Sequence, residues 1–600
     1  MLTVAEDRAG DAVEAVEVPK EARRRRRVTR FDLITIGLYL LGACYVTIRM
    51  WGYLHDPTRY LPDKMLAEWF VSHGANAVTE LDNPLFSEHI NAPDGVNMMG
   101  NTPLLGMTIP ATPLTLLFGA RHTMVILVII GLAGTAAAWY WVLSRHFVSS
   151  KMAAAVAGAF AGFSPGMISH APWHPNLVAQ FLIPFIIWRV IKLREEGRWL
   201  RNGIVLALLV VYQCFLNEEL LFLTALGIAL FLLVYLPFRR DELRAQWRPF
   251  LAGLGVTAGV SLVLLAYPLW LQFLGPQSYH GLPPGLPKLK LDMLSYTTYP
   301  AHSISQRLTP SGIASAADPE GNAFLGWSLV AVSLLIVGWL WRSPAVRGLA
   351  VVGVTAALMS FGAYPSLGGR TPDVPGPWLP FTKLPLFRDV IATRLGLVVF
   401  PVIVFLLAIA TDRILTIARE QPATRRPLRL AWAGVLLAAL LPLFPFPVPT
   451  IYRPPVPAFI ADGTYHNYMR PGETLMAVPL TQFWHIDAMV WQASRRHDFR
   501  ITGGYFIAPQ NGVDGAPADP TFTSPERPTT RLIYAAATSP PAVTDADRQQ
   551  ARADLRHWRV AVVVLQPEYA QTYRSTLEAL FGPATPIGGV LIWDTTALIR

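Results

Sequence analysis

One acidic residue follows the first long apolar run of the chain within a few positions. Asp56 lies in WGYLHDPTRYLPDKMLAEWF (51–70), where a membrane helix would leave the bilayer. A carboxylate held at headgroup depth is partly desolvated, so its pKa rises and it can serve as a general base. A loop aspartate that caps the helix after Pro57 is the other interpretation. Local sequence leaves both open.

The stretch behind this acid has the periodicity of a short amphipathic helix. Apolar side chains recur at helical spacing on one side: Leu61, Met65, Leu66, Trp69 and Phe70. Charged side chains occupy the other side: Asp63, Lys64 and Glu68. A helix of this kind binds the boundary between headgroups and acyl chains. We therefore predict that it lies on the outer membrane interface and fixes the loop that carries Asp56.

Two adjacent glutamates interrupt another apolar run. Glu218 and Glu219 stand in FLNEELLF (215–222). They could occupy a turn between two antiparallel helices, or they could be functional groups at membrane depth, where ionisable side chains are costly. A helix that begins at this point would favour the acids through its dipole.

Two histidines four positions apart suggest a metal pair. His170 and His174 lie in FSPGMISHAPWHPNL (163–177), but Pro172 and Pro175 interrupt the helix that would bring them together. We therefore predict no metal site. A hydrogen bond to a phosphate or a sugar and a structural role in the loop remain the two interpretations.

Two arginines flank the outer end of a later apolar run. Arg388 and Arg394 lie in LPLFRDVIATRLGLV (384–398). A guanidinium binds phosphate through paired hydrogen bonds. Side chains that only extend to the membrane interface are the alternative.

The composition requires that membrane helices position these groups. Of 600 residues, 52% are hydrophobic and only 15% are charged, whereas soluble proteins have about a quarter charged. A membrane helix needs about 20 apolar residues. About eleven runs approach that length: 33–50, 123–144, 151–164, 176–191, 203–216, 220–237, 249–271, 323–341, 346–362, 393–412 and 430–446. The proline-containing run 103–119 is predicted to be re-entrant or interfacial.

The distribution of charge predicts the orientation in the membrane. The net charge is +10, and basic residues cluster in the arm EARRRRRVTR (21–30) and between apolar runs. Basic loops stay in the cytoplasm, so the N-terminus is predicted inside and residues 447–600 outside. The long loops 51–122, 272–322 and 363–392 and the short loops 164–175 and 217–219 are then extracytoplasmic, and most of the candidate residues lie in them. Basic clusters beside a membrane indicate anionic lipid, so no nucleic-acid partner is expected.

The last 150 or so residues have the composition of a soluble domain. Strands and helices alternate there, with strands at 473–480, 560–567 and 588–596 and helices at 544–558 and 569–582. This order predicts a small α/β domain. The chain is therefore divided into a basic arm (1–30), a membrane domain (31–446) and an extracytoplasmic domain (447–600). Cys44 and Cys214 lie in apolar runs and indicate neither a disulfide nor a metal site.

Five short motifs occur in an order that resembles a known class of enzymes. They are NPLFSEHINAPDGVNMMGNTPLLG (83–106), SHAPWHPNLVAQFLIP (169–184), NEELL (217–221), KLDMLSYTTYPAH (290–302) and LPFTKLPLFRDVIATRLGL (379–397). With the first span and its acidic loop, they resemble bacterial, actinobacterial-type, polytopic membrane glycosyltransferases of the GT-C fold. The expected fold is α-helical and polytopic, with a small extracytoplasmic α/β domain at the C-terminus.

The resemblance implies a reaction in the plasma membrane. A polyprenyl-phosphate sugar would be the donor, and an extracytoplasmic glycan, lipid or protein would be the acceptor. Asp56 would deprotonate the acceptor hydroxyl, which attacks the anomeric carbon with inversion. His170, His174, Arg388 and Arg394 would bind the donor phosphate or its sugar.

The chain departs from many members of this class at the first loop. Many carry two adjacent acids there, whereas His55 and Pro57 flank Asp56 in this chain. The candidates for a second acid are Asp82, Asp94, Glu218 and Glu219. No cofactor is required by this interpretation, and Mg²⁺ or Mn²⁺ is the candidate if the reaction uses one. The alternatives are a transporter or flippase of a lipid-linked or anionic substrate, and a non-catalytic protein of envelope assembly.

Overall fold

The computed structural model describes residues 28–54, 62–307, 319–421, 423–509, 520–522 and 524–599. Asp56 and the arginine-rich arm up to residue 27 lie outside the described residues. The chain forms two compact units. The first comprises Met1–Met50, Leu127–Leu264 and Pro287–Pro449, and the second comprises Trp51–Ile126, Leu265–Leu286 and Thr450–Arg600.

Helices dominate the described residues. The helices are α1 Arg30–Thr47, α2 Pro62–Thr79, α3 Leu105–Thr108, α4 Thr112–Val142, α5 Lys151–Phe163, α6 Pro165–His170, α7 Pro175–Val178, α8 Ile183–Lys192, α9 Trp199–Tyr235, α10 Arg240–Leu274, α11 Gly326–Trp339, α12 Pro344–Ser360, α13 Val399–Glu420, α14 Arg425–Leu440, α15 Ala458–Ala461, α16 Asp487–Ser494, α17 Pro528–Ala535, α18 Asp545–Trp558, α19 Ala570–Phe581 and α20 Thr596–Ile599. The strands are β1 Phe86–Ser87, β2 Val96–Asn97, β3 Thr474–Val478, β4 Arg500–Ile501, β5 Ala508–Pro509, β6 Pro520–Thr521, β7 Val560–Leu565, β8 Thr585–Ile587 and β9 Val590–Asp594.

Seven helical segments of the described residues are long and apolar enough to cross a membrane: Arg30–Trp51, Thr112–Phe147, Lys151–His170, Trp199–Phe238, Arg244–Leu274, Ala392–Glu420 and Arg425–Leu443. The helices α11 and α12 are apolar but shorter. The prediction of an α-helical polytopic membrane protein is therefore confirmed. The total of eleven spans and the side of the membrane on which each loop lies stay predictions.

The helix α9 folds back on itself at Asn217. A straight helix of its 37 residues would be about 56 Å long. Instead Trp199 packs against Gly253 of α10, and Tyr235 lines the same cavity as Phe250 of α10. The backbone of Asn217 is extended, with φ −168° and ψ 110°, and its side chain accepts a 2.9 Å hydrogen bond from the amide of Leu220. Asn217 thus ends the first half of α9 and caps the second, as the predicted turn between antiparallel helices requires.

The second unit contains a five-stranded mixed sheet. Its strand order is β4-β3-β7-β9-β8; β3 runs parallel to β4 and β7, whereas β9 runs antiparallel to β7 and β8. All six residues of β7 are buried because apolar side chains cover both faces of the sheet. The three predicted strands and two predicted helices of this region lie within three residues of β3, β7, β9, α18 and α19.

The helix α2 is part of this second unit and is buried on both sides. Lys64 and Glu68, on its predicted polar side, are each only 3% exposed. Glu68 accepts a hydrogen bond from the Arg453 guanidinium, and Trp69 donates a 3.0 Å hydrogen bond to Gln492 of α16. The prediction that α2 lies on the membrane interface is therefore wrong. Its charged face is buried because Arg453, 385 residues later, pairs with Glu68.

Three histidine rings form a cluster beside Trp69 in the core of the second unit. The ring of His73 stacks on Trp69 with centroids 5.2 Å apart, and the ring of His497 lies 4.5 Å from Trp69. His89 contacts His497 at 5.3 Å. Burial lowers the pKa of His73 to about 4 and also lowers the pKa values of His89 and His497. All three rings are therefore neutral at pH 7.

The second unit is expected to lose stability as the pH falls from about 6.5 to 4. In the unfolded chain an imidazole has a pKa of about 6.5, and its pKa in the folded chain is lower, so the unfolded state binds more protons in this window. The lowered pKa of His73 alone corresponds to about 3 kcal/mol of unfolding free energy. Unfolding monitored by tryptophan fluorescence at pH 7.5 and pH 4.5 measures the loss.

Two substitutions separate this effect from general acid sensitivity. His497→Phe keeps an aromatic ring beside Trp69 but removes one titrating group. The loss of unfolding free energy on acidification should therefore be smaller. His280→Gln, at an exposed position of the same unit, should leave the loss unchanged. Equal acid sensitivity of wild type and His497→Phe would show that the histidine cluster is not responsible.

Candidate functional site

A buried ion cluster in the first unit joins two acids through one arginine. Arg394 lies in the 3₁₀ segment Ala392–Val398 that leads into α13. Its Nη1 donates to Oε2 of Glu219, and its Nη2 donates to Oε1 of Glu320 at 2.6 Å. Its Nε also contacts both oxygens of Glu320, at 3.2 and 3.1 Å. The guanidinium is therefore held between two carboxylates.

Two histidines complete the cluster on the side of Glu320. The Nδ1 atoms of His170 and His174 are 3.2 Å apart. The same nitrogen of His174 lies 3.7 Å from Oε1 of Glu320. His170 is 4% exposed, and the side chain of His174 is 20% exposed. The cluster is thus mostly buried, and His174 is only slightly more exposed than Glu219, at 17%, and Arg394, at 16%.

The local backbone explains how the two histidines meet despite the prolines. The helix α6 ends at His170 as expected, but the amide of His174 still donates a 2.8 Å hydrogen bond to the carbonyl of His170. One further helical turn therefore spans the two residues. Pro175 can follow because it is the first residue of α7, where no amide proton is needed. The prediction that this geometry is unavailable is wrong.

Glu320 is held in place by its neighbours. Asn322, two residues later, donates to Oγ of Ser169 and, at 3.3 Å, to the carbonyl of Pro165 in α6. Thr393 donates a 3.3 Å hydrogen bond to Oε2 of Glu320. These contacts fix the loop that carries Glu320 against α6 and against the segment that carries Arg394.

Burial and charge together determine the protonation of Glu320 and His174. Burial acts to raise the pKa of Glu320, but the positive charge of Arg394 outweighs it and holds that pKa far below its usual range. Burial lowers the pKa of His174 to about 3, although Glu320 opposes the shift. Glu320 is therefore ionised and His174 neutral at pH 7. An imidazole in this state can donate one hydrogen bond and accept another, or bind a metal.

The structure brings together four of the residues selected from the sequence: Glu219, His170, His174 and Arg394. Glu320 was not selected as a site residue from the sequence. The signal that could have selected it is its position, an acid that lies just before an apolar helix and after a long loop. Glu218 is adjacent to the cluster in sequence but makes none of the described cluster contacts.

The remaining candidates lie elsewhere. Arg388 is 45% exposed at its side chain, with its Nε 4.0 Å from Asp389. In the second unit, Asp82 lies 3.4 Å from His89 and Asp94 lies 3.7 Å from His557, and both carboxylates are about half exposed. Asp56, the candidate base, lies outside the described residues.

An apolar cavity of about 530 Å³ begins beside the ion cluster. Its walls include Leu220 and Val398, which are one and four residues away in sequence from Glu219 and Arg394. It continues between α8, the second half of α9, α12 and α13 toward Arg239. Its lining is almost entirely apolar, so a hydrocarbon chain of an amphipathic ligand would fit there.

One group of metal-ligating side chains is found among the described residues. His170, His174 and Glu320 each offer one ligand atom, and these atoms all lie within 4.8 Å of one another. Two imidazole nitrogens and one carboxylate oxygen form a donor set suited to Zn²⁺ or another first-row transition metal. They fit Mg²⁺ poorly, because Mg²⁺ prefers oxygen ligands.

Comparison with known proteins identifies both a family and a fold. The family described as "Domain of unknown function (DUF6311)" matches residues 81–443. No curated protein sequence matches the chain. The arabinofuranosyltransferase AftD from Mycobacteria is similar in structure, with a TM-score of 0.52 and 13% identity, over 96% of this chain and 40% of that chain. This likeness shows a shared fold, and the predicted resemblance to the GT-C fold is confirmed.

Two other solved structures are similar to a smaller degree. The oligosaccharyltransferase of Archaeoglobus fulgidus in the apo form has a TM-score of 0.48 and 11% identity, over 92% of this chain and 72% of that chain. ArnT from Cupriavidus metallidurans bound to undecaprenyl phosphate has a TM-score of 0.43 and 11% identity, over 95% of this chain and 99% of that chain.

Proposed function

The chain belongs to the DUF6311 family, and we propose that it is a membrane glycosyltransferase that transfers a sugar from a polyprenyl-phosphate donor to an extracytoplasmic acceptor. One observation carries the proposal: a buried polar cluster lies beside an apolar cavity among membrane helices. A lipid-linked sugar has the matching two parts, a polar head and a hydrocarbon chain. The fold shared with an arabinofuranosyltransferase supports this assignment.

In this proposal the cluster binds the head of the donor. The carboxylates of Glu219 and Glu320 can accept hydrogen bonds from sugar hydroxyls, and the imidazoles of His170 and His174 can donate to sugar or phosphate oxygens. Arg394 is already bound by two carboxylates, so its role is to position them. Arg388, with its exposed guanidinium, is the arginine available to a phosphate.

A group of cations supports Asp56 as the base. Lys64, Arg121 and Arg453 surround Glu68 in the second unit, so three cations face one carboxylate among the described side chains. Burial lowers the pKa of Lys64, and the two arginines lower it further. The described backbone before residue 55 ends beside this group, because the amide of Arg453 donates a 3.2 Å hydrogen bond to the carbonyl of Leu54. Positive charge near an aspartate favours its ionised form, which is the form that a base requires.

The proposed reaction is a single displacement. The acceptor hydroxyl attacks the anomeric carbon while its proton passes to the carboxylate of Asp56. The bond between the anomeric carbon and the phosphate oxygen breaks, and polyprenyl phosphate leaves with the bonding electrons. The configuration at the anomeric carbon is inverted. Hydrogen-bond donors that face the phosphate stabilise the charge that develops on it.

The proposal is tested first in cells. In a strain that lacks this chain, one sugar substituent of the envelope glycans, lipids or proteins should be lost and its lipid-linked donor should accumulate. Expression of the wild-type chain should restore both. An unchanged envelope would contradict the proposed sugar transfer. A donor that accumulates only on the cytoplasmic side of the membrane would favour a flippase instead.

A further inference from the structure

Three ligand atoms converge on one point of the first unit. The Nδ1 atoms of His170 and His174 are 3.2 Å apart, and His174 lies 3.7 Å from Oε1 of Glu320. Two nitrogens bound to one tetrahedral Zn²⁺ at about 2.0–2.1 Å would be roughly 3.3 Å apart. The two imidazoles therefore already have the separation that a shared metal ion needs.

The surrounding structure holds these ligands in position. The hydrogen bond from the amide of His174 to the carbonyl of His170 fixes the two rings on one side of the turn. Asn322 links the loop of Glu320 to Ser169, the residue before His170. Hydrogen bonds that orient ligands in this way strengthen metal binding, because the ligand side chains lose less conformational entropy when the ion binds.

The charge of the cluster also favours a cation. Two carboxylates, those of Glu219 and Glu320, face one guanidinium, that of Arg394. Oε1 of Glu320 accepts a 2.6 Å hydrogen bond from Nη2 of Arg394, whereas Nε of Arg394 is shared between both oxygens at 3.2 and 3.1 Å. A metal can therefore take the second lone pair of Oε1 in place of the longer Nε contact. A divalent ion would therefore complete the cluster without displacing the arginine.

We propose that His170, His174 and Glu320 bind one transition-metal ion, with Zn²⁺ as the preferred occupant. Three protein ligands leave a fourth position open to water or to an oxygen atom of a ligand. The proposal concerns metal binding and holds whether or not the chain transfers sugar. It replaces both the prediction of no metal site and the choice of Mg²⁺ or Mn²⁺.

Metal content and stability test this site without an activity assay. The chain is purified in detergent without a polyhistidine tag, treated with EDTA, incubated with Zn²⁺ and desalted. We expect about one zinc atom per chain by mass spectrometry of the metal, and a higher Tm in the presence of Zn²⁺. With Co²⁺, the visible absorption should be that of a tetrahedral site. Wild type that retains no zinc and shows no increase in Tm overturns the proposal.

Two variants locate the site. His174→Ala should weaken zinc binding at least tenfold, because it removes a central ligand. His302→Gln, in another loop of the first unit, should bind zinc as wild type does. Equal zinc retention by wild type and His174→Ala would show adventitious binding elsewhere and overturn the assignment. If His174→Ala does not fold, the zinc dependence of the wild-type Tm still decides.

Discussion

Replacing Arg394 with methionine is expected to lower the free energy of unfolding by roughly 3–5 kcal/mol. Methionine keeps much of the length of the side chain but removes the cation between Glu219 and Glu320. Both carboxylates are less than one-fifth exposed, so they would face each other without compensation in a low-dielectric site. Chemical and thermal unfolding of the purified chain in detergent measures the loss.

Two comparisons show whether the buried charge is the cause. Arg388→Met removes an exposed arginine from the same loop and should change stability by less than about 1 kcal/mol. Adding Glu219→Gln and Glu320→Gln to Arg394→Met should recover much of the lost stability, because no uncompensated charge remains. Equal effects of Arg394→Met and Arg388→Met would contradict the buried cluster.

Asp56→Asn is expected to reduce the rate of sugar transfer by about 10²–10⁴-fold. The amide has nearly the same shape as the carboxylate but cannot accept the proton of the acceptor hydroxyl. Expression, Tm and the KM for the donor should therefore stay close to those of wild type. The measurement is the initial rate at which a labelled sugar leaves its lipid carrier and joins the acceptor.

The other candidate acids of the same region are the matched controls. Asp82→Asn and Asp94→Asn change exposed carboxylates beside histidines, and each should keep the rate within a few-fold of wild type. Transfer at the wild-type rate by Asp56→Asn would remove Asp56 from the role of base. A large loss in Asp82→Asn or Asp94→Asn instead would identify that residue as an essential acid.

The sequence predicts the parts of this fold that depend on local pattern. Long apolar runs predicted most of the candidate spans. The alternation of strand and helix patterns in residues 447–600 predicted β3, β7 and β9. The turn at Asn217 was predictable because Glu218 and Glu219 interrupt an apolar run where a helix must reverse. In each case the signal lies within some 20 residues, which is the range over which hydrophobic periodicity acts.

The sequence could not predict features that depend on distant partners. The burial of α2 requires Arg453 and Gln492, which lie 385 and 423 residues after their partners Glu68 and Trp69. The pairing of Glu320 with Arg394 joins two loops that are more than 70 residues apart. The proximity of His170 and His174 depends on one backbone hydrogen bond that persists after α6 ends. The sequence does not indicate this bond, because Pro172 and Pro175 predict that the helix is interrupted.

The proposed transfer is tested most directly with the purified chain in lipid vesicles that contain a polyprenyl-phosphate sugar labelled in the sugar. The prediction is that the label moves to an extracytoplasmic acceptor, that polyprenyl phosphate is released in equal amount, and that the product has the inverted anomeric configuration. A label that stays on the lipid carrier under conditions where the donor and acceptor are both present would contradict the proposed function.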